Sequence, residues 1–350
     1  MNPQPLVSVL MPCYNSAAFL HKAIDSILNQ TYRKFEFIII DDGSNDPTPA
    51  IIESYAQSDT RIKFYRNEVN RKLIYTLNRG VQLSGGEYIM RMDADDISHP
   101  ERLEKQLTFM LEHPETDICS AGYCYINLSD KEVQRSYPKT TLSKALHFQS
   151  FFSTPLTHAV ILAKAEVLKK NLYDPDFIHS EDFELFSRLL SNGYNLRNLK
   201  EILYYVRINP QSVSYRFERV QTETHTRISK RNLLNYFNKK FEFFLHKVMI
   251  YRIAFHPEIY MVNDAVRELD ILKQEFVARE NCTPHELLEI EMFLIEHKID
   301  ILIQSFKAAT IKNKIRLLPV IYNMRKLFIT ESGKRYMKSK FRRISSFNMF

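Results

Sequence analysis

Hydrophobic residues in the first hundred positions follow two alternating spacings. Compact apolar runs, typical of buried β-strands, occur at 6–11, 35–40, 62–65 and 88–92. Apolar residues three to four positions apart, typical of amphipathic helices, occupy 19–28, 48–55 and 73–83. Repeated strand–helix units connect parallel strands. This stretch therefore predicts an α/β fold with a mostly parallel central sheet and helices on both faces.

The alternation is weaker but still visible over the next hundred residues. It predicts further helices and strands, in chain order, at 101–112, 118–126, 159–162, 165–170, 181–190, 194–199 and 202–206. Gly193 follows the fifth of these at a plausible helix C-cap. Residues 127–150 are polar and weakly patterned, so we expect an excursion over the surface.

From about residue 216 the strand signals stop. Long segments with helical spacing follow at 233–253, 265–276, 284–306 and 312–328. The pattern therefore predicts an α/β domain at 1–215, followed by a helical C-terminal region at 216–350.

Charge is distributed unevenly along the chain. The net charge of the 350 residues is +7, but residues 301–350 carry +11, which leaves −4 for the rest. No apolar run of about 18 residues and no signal peptide pattern occurs, so we expect a cytoplasmic protein without a transmembrane helix. Cys13, Cys119, Cys124 and Cys282 lack metal-binding spacing and suit a reducing compartment.

Three aspartates follow the predicted strand at 88–92. Asp93, Asp95 and Asp96 then stand at the carboxyl end of a strand, which is where open α/β sheets bind ligands. Carboxylate oxygens are suitable ligands for Mg²⁺ or Mn²⁺. The alternative is an acidic turn that faces water. Ser98 as N-cap and Glu101 as its capping-box partner predict that a helix begins directly after the turn.

Two further acidic pairs and one lysine stand at the ends of predicted elements. Asp41 and Asp42 close the second strand, where a carboxylate accepts a base N–H or a ribose hydroxyl, or simply caps a turn. Lys72 precedes the third helix, within reach of phosphate or base, or merely solvated. Glu181 and Asp182 begin a helix, where the helix dipole favours carboxylates whatever their function.

Glycine is scarce, with seven residues in all. Neither a G-x-G-x-x-G pattern nor a phosphate-binding G-x-x-x-x-G-K-[ST] loop occurs. This argues against a dinucleotide-binding fold and a P-loop enzyme, because both bring backbone close to phosphate through glycines. A diphosphate would have to be bound here through a metal ion and basic side chains.

A series of short motifs in one order carries a family resemblance. The motifs are VSVLMPCYN at 7–15, NQTY at 29–32, DDGSND at 41–46, NRKLIYTLN at 70–78, GEYI at 86–89, DADD at 93–96 and ED at 181–182. Together they resemble glycosyltransferase family 2. The resemblance implies the GT-A fold, with a nucleotide-binding half at 1–100 and an acceptor half at 101–215.

The resemblance assigns the nucleotide to the first half. Pro12, Tyr14 and Asp42 would frame the base, with Asp42 accepting from the uracil N–H. Lys72 matches a position near the nucleotide where some relatives carry a basic residue and many carry glycine. Asp93 would face the ribose or the metal.

The resemblance also assigns the metal and the base. Asp95 would be the direct ligand of Mn²⁺ or Mg²⁺ on the diphosphate, with Asp93 beside it, while Asp96 orients the turn. Asp182 matches the general base of an inverting transfer, and Glu181 would hold donor or acceptor hydroxyls.

His158 matches a histidine that is common in relatives. It would contact donor or acceptor, or it is structural, as a lone histidine more often is. Arg207 and Ser212 lie in a segment that resembles a closing loop of relatives, where both would contact the donor phosphate. Asn209 stands where many relatives carry a histidine that contacts the metal or the diphosphate, so the resemblance assigns no third protein ligand there.

The overall layout resembles bacterial enzymes that extend lipooligosaccharide or capsule, among them β-1,3-N-acetylglucosaminyltransferases. This implies a UDP-sugar donor such as UDP-GlcNAc and a lipid-linked or surface oligosaccharide acceptor. The basic, aromatic-bearing tail is drawn to anionic lipid, so we expect peripheral binding to the inner face of the cytoplasmic membrane.

Two other classes remain open at this stage. A sugar-phosphate nucleotidyltransferase also needs paired aspartates and a metal, but the loop at 11–16 lacks the glycine-rich, basic character that would bind a triphosphate. A nucleic-acid-binding protein would explain the tail. The acidic remainder and the missing nucleic-acid motifs argue against it, and we expect no nucleic acid partner.

Overall fold

The computed structural model describes residues 4–209, 218–238, 259–308 and 333–334. The chain divides into two compact units. One comprises Met1–Leu146 and Thr154–Thr224, and the other comprises His147–Ser153 and His225–Phe350.

A single sheet organises the first unit. Within the described residues its strands are β1 (Val7–Cys13), β2 (Phe35–Asp41), β3 (Ile62–Arg66), β4 (Tyr88–Arg91), β5 (Ile97–Ser98), β6 (Ile118–Ile126), β7 (Glu132–Ser136), β8 (Leu162–Lys164) and β9 (Leu196–Arg207). Their order is β3-β2-β1-β4-β8-β6-β9-β5, and β7 pairs with β6. The β3-β2-β1-β4 half is parallel, β9 is parallel to β6, and β8 joins the two halves through antiparallel pairs.

Helices lie against both faces of this sheet. They are α1 (Ala17–Leu28), α2 (Thr48–Ser58), α3 (Lys72–Leu83), α4 (Arg102–Glu112), α5 (Ser143–Gln149), α6 (Ala165–Lys170) and α7 (Glu181–Ser191), and a short 3₁₀ helix spans His158–Val160. Residues of α1, α2 and α4 share one buried cluster, while residues of α3, α6 and α7 share the other. Because helices cover both faces of the parallel strands, the sequences of these strands are continuous apolar runs rather than alternations of apolar and polar residues.

The first strand shows how both clusters arise from one segment. Val9 and Met11 belong to one cluster and Leu10 to the other, as the two-residue period of a strand requires. Helix α3 approaches Leu10 at Gly80, where an added Cβ would lie 2.1 Å from a Leu10 methyl carbon. This glycine therefore sets how closely α3 packs on the sheet.

The predicted α/β fold with a mostly parallel central sheet is confirmed. The strand predicted at 159–162 is instead a 3₁₀ helix at His158–Val160 followed by β8 at Leu162–Lys164, and three other local predictions were wrong. Residues 127–150 are not a patternless excursion, because they contain β7 and α5. The strands predicted at 194–199 and 202–206 are one strand, β9, that pairs along β6 with register shifts.

The third error concerns the start of α4. Ser98 is not its N-cap but pairs with Tyr204 as part of β5, and its backbone N–H donates to Ser26 Oγ at 3.1 Å. The helix begins at Arg102 with Glu101 at the N-cap position. The pairing of β5 with β9 places Ser98 in a strand, so it does not form the predicted capping box. This pairing is not encoded in the local sequence.

The second unit contains the end of helix α8 (Glu218–Phe237) and helices α9 (Ile259–Arg279) and α10 (Pro284–Ala308). Its core is aromatic: Phe151, Tyr236 and Phe276 surround His147 with ring centroids 5.1–5.5 Å from it. Burial lowers the pKa of His147 to about 4, so this histidine is neutral at pH 7.

Some predictions lie outside the described residues. These are the helix at 312–328, most of the predicted helix at 233–253, and the basic tail apart from residues 333–334. Among the helices in the described ranges, none combines the length and the apolar character needed to cross a membrane. None of the four cysteines, all of which are described, forms a disulfide.

A buried carboxylate ties the amino ends of the parallel strands together. Glu36 of β2 accepts hydrogen bonds from Ser8 Oγ at 2.5 Å and from the Gly85 N–H at 2.7 Å, and it pairs with Lys63 of β3. Burial acts to raise the pKa of Glu36, but the hydrogen bonds from Lys63, Ser8 and Gly85 outweigh it, and its pKa lies below the ordinary value. Glu36 is therefore charged at neutral pH and joins three strands to the turn before β4.

Replacing Glu36 by alanine should destabilise the protein by roughly 2–4 kcal/mol, because Ser8 and Gly85 lose their acceptor inside the fold. The free energy of unfolding, measured by urea titration of the first unit's transition, checks this. Glu53→Ala, at an exposed position of α2, is the matched control and should change stability by less than about 0.5 kcal/mol. Equal effects of the two variants would contradict the structural role of Glu36.

Candidate active site

Acidic residues gather at the carboxyl ends of β1, β2 and β4. Cys13 at the end of β1 lies in register with Asp41 of β2. Burial raises the pKa of the Cys13 thiol well above its ordinary value, and the charges of Asp41, Asp93 and Asp95 raise it further. Two acidic motifs that are 50 residues apart in sequence therefore meet at one edge of the sheet.

The loops after β1 and β2 are joined to each other. The Asp42 N–H donates to the Cys13 carbonyl at 2.8 Å, and the Asn15 N–H donates to Ser44 Oγ at 2.8 Å. Tyr14 between them has an exposed side chain, at 45%, and Pro12 is partly buried at the end of β1. The structure thus brings Pro12, Tyr14 and Asp42, the three residues expected to frame a base, to neighbouring loops.

Asp42 is buried and already has several partners. Its carboxylate accepts from Asn67 Nδ2 at 2.6 Å and from the backbone N–H groups of Arg71 and Lys72 at 2.8 Å each. Lys72 is held with φ of +70°, in the left-handed region that suits glycine, and its side chain is exposed. Asp42 therefore fixes the start of α3.

The turn after β4, at residues 93–96, is supported by a tyrosine and an arginine. The Asp93 N–H donates to Tyr204 Oη at 3.0 Å. Arg102 is fully buried beneath Tyr204, with its guanidinium carbon 4.8 Å from the ring centroid, and donates to the Arg91 carbonyl at 2.8 Å. Burial lowers the pKa of Arg102 to about 10, which still leaves it charged at neutral pH.

The carboxylates of this turn repel one another. Burial raises the pKa of Asp95 to about 6, and the charge of Asp93 adds to the effect. Burial also raises the pKa of Asp96 well above its usual range, again helped by Asp93 and Asp95. A cation placed against Asp93 and Asp95, both of which are partly exposed, would relieve this repulsion.

The donor set suits a hard divalent ion. Mg²⁺ sites commonly use one or two carboxylates together with water and substrate phosphates. Asp93 and Asp95 supply two carboxylates of that kind. Within the part of the chain that the structure describes, no group of three metal-ligating side chains is found.

Arg207 lies behind the acidic turn. Its side chain is 1% exposed, and it donates to the Asp95 carbonyl at 2.8 Å and to Asp130 at 2.5 Å. Its backbone N–H donates to Asp96 Oδ1 at 2.7 Å, and its guanidinium stacks over Phe19. The structure therefore places Arg207 as a support of the turn, rather than as an open contact for donor or acceptor.

Helix α7 brings a second acidic pair to the same region. Burial raises the pKa of Glu181, in the first turn, to about 7, and the neighbouring Asp182 adds to it, while the charges of Arg91 and Asp93 also act on Glu181. Asp182 beside it is partly exposed. The charge of the acidic turn therefore acts on the start of α7.

His158 lies behind this pair. Its Nε2 is 2.8 Å from Tyr173 Oη, and its Nδ1 is 4.0 Å from Glu181 Oε1. Burial lowers the pKa of His158 well below its ordinary value, and Arg91 lowers it further, so the imidazole is neutral. Tyr173 in turn exchanges two backbone hydrogen bonds with the Asn78 side chain of α3.

Sequence reasoning gave no role to Arg91, Tyr173 or Tyr204. Arg91 forms two hydrogen bonds with Asp93, from Nη1 to Oδ2 at 2.7 Å and from Nη2 to Oδ1 at 2.5 Å. A charged residue between Met90 and Met92, within an apolar strand, was the signal that could have identified it. The two tyrosines carried no such signal, because buried tyrosines are common in cores.

Known sequences resemble this chain closely enough to assign it to a family. A family model described as glycosyl transferase family 2 matches residues 8–173. An uncharacterized glycosyltransferase of Methanocaldococcus jannaschii is 33% identical over 261 residues, which cover 72% of this chain and 86% of the relative. The O-antigen biosynthesis glycosyltransferase WbnJ of Escherichia coli is 35% identical over 212 residues, which cover 59% and 81%.

Solved structures show the same fold. Residues 1–349 of S. aureus TarS, in complex with UDP-GlcNAc, have a TM-score of 0.55 at 17% identity and cover 96% of this chain and 91% of their own. The mannosyltransferase PcManGT of Pyrobaculum calidifontis, in complex with GDP-Man and Mn²⁺, has a TM-score of 0.51 at 15% identity, with coverage of 96% and 84%. These neighbours are GT-A enzymes, as the sequence predicted for this fold. With relatives of this identity and coverage, the chain is a glycosyltransferase and belongs to glycosyl transferase family 2.

Proposed function

We propose that this protein transfers a sugar from a UDP-sugar to a hydroxyl group of a surface-glycan acceptor, with a divalent ion and with inversion at the anomeric carbon. One observation carries the proposal. The acidic turn after β4 and the acidic start of α7 lie close together, so that the charge of Asp93 acts to raise the pKa of Glu181. A metal-dependent transfer needs a carboxylate group for the ion and another for the base.

The donor class follows from the fold neighbours and the relatives. TarS is bound to UDP-GlcNAc and PcManGT to GDP-Man with Mn²⁺, and WbnJ serves O-antigen biosynthesis. These support a nucleotide-sugar donor and a polysaccharide acceptor for this chain. UDP-GlcNAc is the first donor to test, and lipooligosaccharide or capsule is the acceptor class we propose.

Asp95, with Asp93, would hold Mn²⁺ or Mg²⁺ against the diphosphate. The ion would act as a Lewis acid for the charge that develops on the departing nucleoside diphosphate. Tyr204 and Arg207 keep the turn in place through its backbone. Pro12, Tyr14, Asp42 and Lys72 would line the nucleotide, with Asp42 accepting from the base.

Asp182 would take the proton from the acceptor hydroxyl as its oxygen attacks the anomeric carbon. Glu181 would bind donor or acceptor hydroxyls, and the neutral His158 would keep Glu181 oriented from behind. All of these residues lie in the first unit. The basic tail, which we propose binds anionic membrane where a lipid-linked acceptor is presented, lies outside the described residues and rests on sequence alone.

The proposed reaction predicts release of UDP that depends on both an acceptor and a divalent ion. The test supplies UDP-GlcNAc, other UDP-sugars and GDP-Man, with Mn²⁺ or Mg²⁺ and a galactose-terminated acceptor. We expect UDP release that EDTA abolishes, and a β-linked product by NMR. Formation of pyrophosphate from UTP and a sugar phosphate, with no sugar transfer, would instead indicate a nucleotidyltransferase.

Replacing Asp182 by asparagine should lower kcat by about 10²–10⁴, because the acceptor hydroxyl loses its base. Binding of the UDP-sugar with Mn²⁺, measured by calorimetry, should remain within about twofold, because Asp182 is not expected to bind the donor. Glu166→Gln on α6, an exposed acid of the same domain, is the control and should keep the wild-type kcat. Loss of donor binding in Asp182→Asn would argue against the role of a base.

The rate of transfer should fall as the pH falls through about 7. Glu181 and Asp182 are adjacent acids whose mutual repulsion and burial raise the pKa of Glu181 to about 7, so a proton held by the pair blocks the base below that pH. Arg91, Asp93 and the neutral His158 are the other groups that act on the pair. Glu181→Gln removes the neighbouring charge, so the acid limb of kcat/KM should move down by about one pH unit. Glu166→Gln should leave the acid limb of kcat/KM where it is in the wild type. An acid limb that does not move in Glu181→Gln would contradict a proton held jointly by Glu181 and Asp182.

A further inference from the structure

A buried arginine is paired with Asp93 in the acidic turn. The Arg91 side chain is 6% exposed, and its backbone is fixed in β4, where its N–H donates to the Ile161 carbonyl at 3.2 Å and its carbonyl accepts from Arg102. An arginine guanidinium stays protonated in proteins, even where it is buried. The guanidinium is therefore a permanent positive charge that cannot leave the site.

This charge is fixed to one of the expected metal ligands. The two terminal nitrogens of Arg91 donate to both oxygens of Asp93, at 2.7 and 2.5 Å. The Asp93 side chain is 34% exposed, so a cation can approach it from the solvent side. A divalent ion that binds Asp93 would then sit only a few ångströms from a like charge, in a partly buried place where screening is weak.

We infer that Arg91 is a positioning residue that competes with the divalent ion for Asp93 and thereby limits the affinity of the site for the metal. The inference rests on the proposed metal dependence. The planar guanidinium of Arg91 holds the Asp93 carboxylate in a defined orientation. Its positive charge also repels a metal ion that binds the same carboxylate oxygens. The two effects together would give a site that is ordered but that releases its ion with the nucleoside diphosphate.

The test measures binding of Mn²⁺ alone, by electron paramagnetic resonance of free Mn²⁺, so it needs neither donor nor acceptor. Arg91→Met removes the charge at similar length and should bind Mn²⁺ about tenfold more tightly than the wild type, because a like charge is removed. Arg91→Lys keeps the charge and should stay within about twofold. Arg33→Gln, which removes an exposed arginine, is the matched control and should bind as the wild type does.

The two hypotheses fail in different ways. Unchanged or weaker Mn²⁺ binding in folded Arg91→Met, beside measurable binding in the wild type, overturns the competition. A wild type that binds no Mn²⁺ even with UDP overturns the proposed metal dependence itself, and the competition with it.

A second measurement does not depend on whether Arg91→Met folds. The guanidinium resonances of Arg91 in the wild type, assigned with Arg91→Lys, should shift when Mg²⁺ is added, because the ion takes up oxygens that now accept from Arg91. Resonances that stay unmoved at saturating Mg²⁺ would overturn the inference. The exposed Arg33 supplies the internal reference, since its resonance should not move.

Discussion

The structure has to hold carboxylates together at one edge of a sheet against their own repulsion. Burial and mutual charge raise the pKa of Asp95 to about 6 and that of Glu181 to about 7, so both resist ionisation where they stand. Three buried arginines counter this. Arg91 pairs with Asp93, Arg207 holds the backbone of the acidic turn, and Arg102 supports Tyr204 from below. The site is ordered because these cations belong to β4, β9 and α4, not to loops.

Burying a charge costs free energy, and a fold that keeps buried charges gains conformational order from them. Breaking a buried pair by removing one partner costs about 3–5 kcal/mol, whereas an apolar replacement of the whole pair is often neutral. The arginines are therefore poor evidence for stability. Their geometry favours a role in orientation, because each donates to a backbone carbonyl or a carboxylate of the acidic turn, or to the strand that leads into it.

The two ends of the parallel strands use the same chemistry for different purposes. At the amino ends, Glu36 is saturated by Ser8, Gly85 and Lys63, and its pKa is lowered. At the carboxyl ends, burial and the charge of Asp93 raise the pKa of Asp95. A carboxylate that is paired with a cation stabilises the sheet, while one that faces a like charge favours the binding of a cation. This difference separates the structural end of the sheet from its reactive end.

The sequence by itself determined the α/β alternation, the family and the acidic motifs of the site, because apolar spacing and short motifs are local properties of the chain. Asp93, Asp95 and Asp182 could be named from it for that reason. The tertiary structure decided what those residues touch. That Ser98 joins β5 instead of capping α4, that Arg207 turns inward beneath Asp95, and that Arg91 and Tyr204 support the turn all depend on the pairing of β4, β5, β8 and β9. These pairings join residues up to about 110 positions apart, and such contacts follow from how the sheet closes, not from any local pattern.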